Sequence, residues 1–207
     1  MVPDRKFIEA VASAAPTPGG GGASAYAGAL AAALGSMVGN LTLGKQQYAA
    51  VQDDLKGVLS QLKACREDLL HLVEDDAKAF SALARTWKMP KGTPMQRQLR
   101  HDAGQKALLG ACEVPLQIMR ICAKVIELDD FMAHNASRLA LSDVGASVAL
   151  AKGAMEAAAL NVYVNTAMMD DLQTAEAFER EAKDLVKSFS YQADVLYDYV
   201  RHEVSGK

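Results

Sequence analysis

The chain has 207 residues, a net charge of −3 and 50% apolar residues, yet only 6% are aromatic. The 37 alanines therefore supply much of the apolar surface. This length buries a core without disulfide or metal staples, and the mildly acidic balance offers no nucleic-acid footprint. Cys65, Cys112 and Cys122 form no C-x-x-C pair and no zinc-ligand spacing with histidine, so a reducing, cytoplasmic setting is expected.

The N-terminus mixes acidic and basic residues before any apolar run, unlike a signal peptide. A short helix is predicted over 3–14 and a loop over 15–22. Residues 10–44 contain no Asp, Glu, Lys or Arg. That stretch is long enough to be tested against a membrane span, but Ala and Gly dominate it, with Ser24, Ser36, Asn40 and Thr42 interspersed. The reading is a helix over 23–44 buried in protein. Gly28, Gly35 and Gly39 bare one of its faces for close approach of another backbone, and a helix uncharged all round calls for cover on every side, if necessary from a second subunit.

A long helix is predicted over 46–87. Val51, Leu55, Val58, Leu62, Cys65, Leu69, Leu72, Asp76, Phe80, Leu83 and Trp87 follow at steps of three or four. After a loop at 88–94 come a helix over 95–133 bent at Pro115, a loop over 134–142, and helices over 143–168 and 171–203. Ile118, Ile121, Val125, Leu128 and Met132 give the first of these its rhythm, and Leu172, Phe178, Ala182, Leu185, Phe189 and Leu196 the last. No sustained period-two alternation occurs. The expectation is one all-α domain over 1–207, an antiparallel bundle of long helices that forms a homodimer.

Pro18-Gly19-Gly20-Gly21-Gly22 leads straight into a helix. Such a loop either exposes backbone N–H groups to an anion or polar ligand edge, or is a tight turn satisfying backbone angles. It is neither a Walker loop nor a dinucleotide fingerprint. Asp76 occupies an apolar stripe, where a carboxylate is costly unless paired or bound to something; an outward swing of the stripe is the alternative. Ser142-Asp143 opens a helix, and a helix cap is the ordinary use of Asp143. Asn161 and Asn165 sit one turn apart and could meet a heterocycle or bridge to a neighbouring helix. Asp143 and Asn161 share a face but lie roughly 27 Å apart along the axis, so both can serve one small centre only through a long ligand or a second subunit. Lys45 either complements the helix end before it or meets an acidic ligand. The four histidines form no metal-binding or triad pattern.

Pro16-Thr17-Pro18 with the four glycines, Ala27-Gly28-Ala29-Leu30, Ser36 to Thr42, Gly44-Lys45, Asp76 to Phe80, Glu113 to Leu116, Ser142 to Gly145 and Ala158 to Asn165 together resemble the cyclodeaminase/cyclohydrolase family of folate-processing proteins. Two departures are a Gly at 22, where the family usually carries Ser, and Lys45-Gln46-Gln47-Tyr48, which lacks two lysines of its basic run. The stretch from His134 to Asp171 and the absence of a transferase domain look closest to the stand-alone cyclohydrolase type.

The resemblance implies an all-α homodimer with its site near the subunit interface. It implies an enzyme that hydrolyses 5,10-methenyltetrahydrofolate to 10-formyltetrahydrofolate, with formimidoyltetrahydrofolate cyclodeaminase as the alternative. A non-catalytic folate-binding helical protein is the reading from another class. The implied substrate is a tetrahydrofolate derivative, with no tightly bound cofactor, no metal, no nucleic acid and no membrane partner. Under this reading Asp76 or Asp143 is the general base and Lys45 stabilises or protonates. The segment Pro18 to Gly22, with Asn40, Asn161 and Asn165, binds substrate.

Overall fold

The computed structural model describes residues 4–206. They form six α-helices: α1 (Arg5–Val11), α2 (Gly20–Thr42), α3 (Gln52–Trp87), α4 (Pro94–Asn135), α5 (Leu141–Thr166) and α6 (Leu172–Ser205). Short 3₁₀ turns at Gln46–Val51 and Arg138–Ala140 precede α3 and α5. Among the described residues there is no strand.

The predicted helices are all present, with instructive shifts at their ends. α3 begins six residues late because Tyr48 leaves helical geometry (φ −112°, ψ 22°) and the preceding residues wind as 3₁₀. It stops at Trp87, as the spacing predicts. α4 starts with Thr93 as a capping box: Thr93 Oγ1 accepts from Gln96 N–H, and Gln96 Oε1 accepts from Thr93 N–H. In α5 the helix begins at Leu141, so Asp143 is a first-turn residue rather than the N-cap, which is Ala140. Leu172 opens α6 but is 70% exposed, and Ala175 is buried one turn on. The core face of α6 is therefore set by Ala175, Ala182, Ala193, Leu196 and Val200 rather than by Leu172.

α2 passes between α3, α4 and α5. It is long and apolar enough to cross a membrane by length and composition, and 61% of its most apolar window is buried within the protein. The glycine face meets its neighbours at very short range: a Cβ on Gly28, Gly35 or Gly39 would lie 2.8 Å from Cys122 Sγ, 2.5 Å from Asp129 Oδ1 or 2.7 Å from Leu59 Cδ2. Alanine and glycine thus let helices pack backbone to backbone, and Leu55, Leu62, Leu69, Ile118, Met119, Ile126 and Met155 fill the wider gaps.

α2 and α5 run antiparallel. Ser147 Oγ reaches Ala31 O at 2.7 Å in mid-helix, while Gly20 faces Asn161 near one end. At the other end Thr42 Oγ1 accepts from Ser137 N–H at 2.8 Å, just before α5. This register brings the glycine-rich start of α2 to the last turns of α5, and it fixes which candidate residues meet.

Candidate active site

Gly19 is the N-cap of α2 and has no side chain with which to cap it. The work is done by a residue 54 positions away: Asp76 Oδ2 accepts from Gly22 N–H at 2.9 Å. Gly22 is the third helical residue, so the carboxylate takes the place that an Asp or Ser at the N-cap would fill. The start of the helix at Gly20, inside the predicted loop, follows from this cap supplied by α3. The Thr17–Pro18 peptide bond is cis, and Pro18 Cβ lies against Gly22.

Asp76 Oδ1 makes no hydrogen bond among the described residues. It lies over Gly21, where an added Cβ would stand 2.0 Å from Oδ1 and 2.5 Å from Cγ. Burial pushes the Asp76 carboxyl above the ordinary carboxylate range, and the hydrogen bond from Gly22 partly opposes this. The N–H groups of Gly20 and Gly21 are first-turn donors without intrahelical acceptors. Replacing Gly21 by Ala is therefore expected to displace Asp76 and lower turnover by about 100-fold or more, while the rest of the bundle stays folded. Steady-state kinetics with circular dichroism checks this; full activity in the variant would mean that Asp76 is free to move aside.

These groups open into a cavity of about 410 Å³ lined by Gly19, Gly20, Gly21, Asp76, Ala111, Asn161 and Asn165, with apolar walls from Phe80, Leu83, Trp87, Val164 and Met168. Phe80 and Trp87 meet edge to face, their ring centroids 5.9 Å apart. A mainly apolar pocket with a few converging polar groups is the usual form of a small-molecule site.

The two asparagines have different surroundings. Pro115, inside α4, has no N–H to give to the carbonyl of Ala111 one turn earlier. Asn165 Nδ2 supplies that hydrogen bond instead, at 2.7 Å, bridging α5 to α4. α4 therefore runs through Pro115 as one continuous helix. The Asn165 amide oxygen is left available to the cavity. Asn161 donates to Ala157 O within its own helix at 3.2 Å and faces Gly20.

Pro18, the four glycines, Asp76, Asn161 and Asn165 are thus gathered at one end of the bundle. Asn40, Lys45 and Asp143 are not part of that group. Asn40 and Lys45 are exposed at and beyond the last turn of α2, and Asp143 is half-buried in the first turn of α5. Gly21 and Asn40 are separated by roughly 28 Å of helix. Within one chain these three residues do not reach the cavity.

Sequence reasoning missed the aromatic wall as a site feature, although Phe80 and Trp87 stand on the same stripe as Asp76. It also missed Asp129, which is fully buried on α4 with its Oδ2 2.5 Å from Ser147 Oγ. The signal was an Asp four residues after Val125 in an apolar rhythm, with Ser147 the one hydroxyl in the middle of α5.

The sequence model of the formiminotransferase-cyclodeaminase family matches residues 3–184. The chain is 40% identical over 199 residues to the methenyltetrahydrofolate cyclohydrolase of Methylorubrum extorquens, covering 96% of each chain. It is 32% identical over 180 residues to the formimidoyltransferase-cyclodeaminase of Gallus gallus, covering 87% of this chain but 32% of that longer protein. A solved structure of a formiminotetrahydrofolate cyclodeaminase from Thermotoga maritima superposes with a TM-score of 0.81 at 24% identity, over 99% of this chain and 96% of that one, and so shares the fold. The chain belongs to the formiminotransferase-cyclodeaminase family.

Proposed function

We propose that this protein is a methenyltetrahydrofolate cyclohydrolase, an enzyme that hydrolyses the cyclic amidinium of 5,10-methenyltetrahydrofolate to 10-formyltetrahydrofolate. The observation that carries the reading is the free Oδ1 of Asp76 at the glycine-floored end of an aromatic-walled cavity. The full-length similarity to the Methylorubrum extorquens cyclohydrolase supports it.

The substrate carries a positive charge shared by N5, N10 and the carbon between them. Asp76 meets that charge and takes a proton from water as its oxygen adds to the carbon. The resulting carbinolamine collapses: the bond from carbon to N5 breaks, N5 takes up a proton, and the hydroxyl loses one to become the formyl carbonyl on N10. One proton is released overall. A carboxylate made more basic by burial suits the first step. The N–H groups of Gly20 and Gly21 and the amides of Asn161 and Asn165 present donors and acceptors to the edge of the pterin, and Phe80 and Trp87 flank its rings.

The working unit is a homodimer of one-domain subunits in the cytoplasm, without a tightly bound cofactor. Leu30, Met37 and Leu41 form an exposed apolar stripe along the uncharged α2, and Leu160 and Val164 are exposed toward the far end of α5. Cover by a second copy would remove this surface from water. Such a copy is also the route by which Asn40, Lys45 and Asp143 could approach the cavity, with Lys45 as the oxygen-stabilising cation and Asp143 as the second carboxylate.

The test follows loss of methenyltetrahydrofolate absorbance against its spontaneous hydrolysis. Catalysed loss, with no ammonia from formimidoyltetrahydrofolate, is the expected result. Ammonia release without hydrolysis would make the protein a cyclodeaminase, and tight folate binding without turnover would make it a binding protein.

A further inference from the structure

The helices α2 to α5 are arranged so that α2 and α4 each pack on both α3 and α5, which leaves α3 and α5 across from each other. Asp76 on α3 and Asn165 on α5 therefore stand on opposite walls of the cavity that both line. The chemistry of the α3 wall is a carboxylate oxygen. The chemistry of the α5 wall depends on which way its amides are turned.

For Asn165 that orientation is decided by a residue outside the cavity. Pro115 is buried in α4 and does not line the pocket. Its ring nitrogen carries no hydrogen, and its ring crowds the carbonyl one turn earlier, so the Ala111 carbonyl is left without its helical donor and is turned outward. A carbonyl only accepts, so the amide group that meets it at 2.7 Å is the nitrogen of Asn165, and the oxygen is directed away from α4. Asn161 has the same polarity: its Nδ2 is spent on Ala157 O in its own helix. The α5 wall thus offers amide oxygens one turn apart, roughly 5.4 Å along the axis, as acceptors for N–H groups of a ligand.

We propose that Pro115 is a positioning residue that, through the Ala111 carbonyl, holds the Asn165 amide oxygen toward the cavity to accept a hydrogen bond from the N8–H of a reduced pterin. The assignment rests on the folate reading of the site. In 5,10-methenyltetrahydrofolate the reacting carbon is bonded to N5, and N8 lies directly across the same ring. With the reacting carbon at Asp76, the N8–H points toward the opposite wall, where Asn165 stands. In the fully oxidised pterin ring N8 carries no hydrogen and presents a lone pair, which an amide oxygen repels. A fixed acceptor at this place therefore selects the reduced ring, whereas a freely turning amide would serve either form.

The experiment compares tetrahydrofolate with its 8-deaza analogue, in which the N8–H is a methylene, by anaerobic calorimetric titration. The proteins are the wild type, Asn165→Ala, Pro115→Ala and the double variant Pro115→Ala/Asn165→Ala. The wild type should bind tetrahydrofolate about tenfold or more tighter than the analogue. Asn165→Ala should bind the two about equally. Because that substitution alone strips the Ala111 carbonyl of its donor, the double variant repeats the test with the helical hydrogen bond restored, and it too should bind the two about equally. Pro115→Ala should melt at or above the wild-type temperature, since its N–H closes the helix, yet its preference should fall to about threefold as the carbonyl turns back from Asn165. A purely structural Pro115 would change the melt and not the preference, and an unchanged preference in Pro115→Ala overturns its positioning role. Equal binding of the two ligands by a wild type that hydrolyses methenyltetrahydrofolate, or an undiminished preference in the double variant, overturns the assignment of Asn165 and leaves the cyclohydrolase reading standing. A wild type that neither hydrolyses methenyltetrahydrofolate nor binds tetrahydrofolate overturns both.

Discussion

Asp76→Asn is expected to fold as the wild type does and to lose about 10²- to 10⁴-fold in turnover of methenyltetrahydrofolate, the range of a general base. The substitution is informative because the two oxygens of this carboxylate have separate duties. Oδ2 caps α2 by accepting from Gly22 N–H, and an asparagine amide oxygen accepts the same bond. The amide nitrogen then occupies the place of Oδ1 over Gly21, where it can neither take a proton from water nor balance a cation. Thermal melts should agree within about 2 °C, since the cap survives. Asp76→Ala removes both duties and should also lower stability, by about 0.5–2 kcal/mol.

The pH profile is a second check. The Asp76 carboxyl titrates above the ordinary carboxylate range because it is buried, and a base acts only when deprotonated. Wild-type kcat/KM should therefore fall as pH drops through that raised value, and the residual rate of Asp76→Asn should lack this acid limb. A variant with near-normal turnover and an unchanged profile would leave Asp76 as a helix cap alone.

Much of the architecture was legible because it rests on local rules. Prolines and apolar periodicity mark the long helices, and the end of α3 at Trp87 follows from the stripe itself. The stripe also exposed Asp76 as an anomaly. Its partner was beyond reach of any local rule, because the cap comes from a residue 54 positions away and depends on the antiparallel packing that joins α2 to both α3 and α5. The same packing divides the candidate residues between two ends of the bundle. Asn161 and Asn165 come to the glycines, whereas Asp143, near the opposite end of α5, lies with Asn40 and Lys45. Asn165 illustrates the limit well: its bond to Ala111 O compensates for Pro115, and both are visible in the sequence, but only the register of α5 against α4 pairs them.

Asp129 carries the other large expected effect, on stability against pH. Ser147 Oγ lies 2.7 Å from Ala31 O and 2.5 Å from Asp129 Oδ2. One hydroxyl proton can serve only one of these acceptors, so the second hydrogen bond needs a proton on Asp129. Among the described residues Asp129 Oδ1 has no hydrogen-bond partner, and it lies beneath Gly35, which must lack a Cβ to admit it. Burial pushes this carboxyl up to about 8, so the neutral acid is the form that suits the site. The nearby Cys65 thiol is itself pushed upward by burial, so it too is neutral near pH 7.

The sign follows from proton uptake: between an unfolded value near 3.8 and a folded value of about 8, the native chain holds the proton and the unfolded chain does not. The stability that this group contributes is complete below the lower value and is lost progressively as pH rises through the upper one. Asp129→Asn keeps the donor toward Ser147, keeps the shape above Gly35 and cannot ionise. The melting temperature of the variant relative to wild type should therefore rise by roughly 5 °C or more between pH 5 and pH 9. Parallel melting curves for the two proteins across that range would show that Asp129 is charged throughout in the native state, and would require a second donor beside Ser147 to hold it.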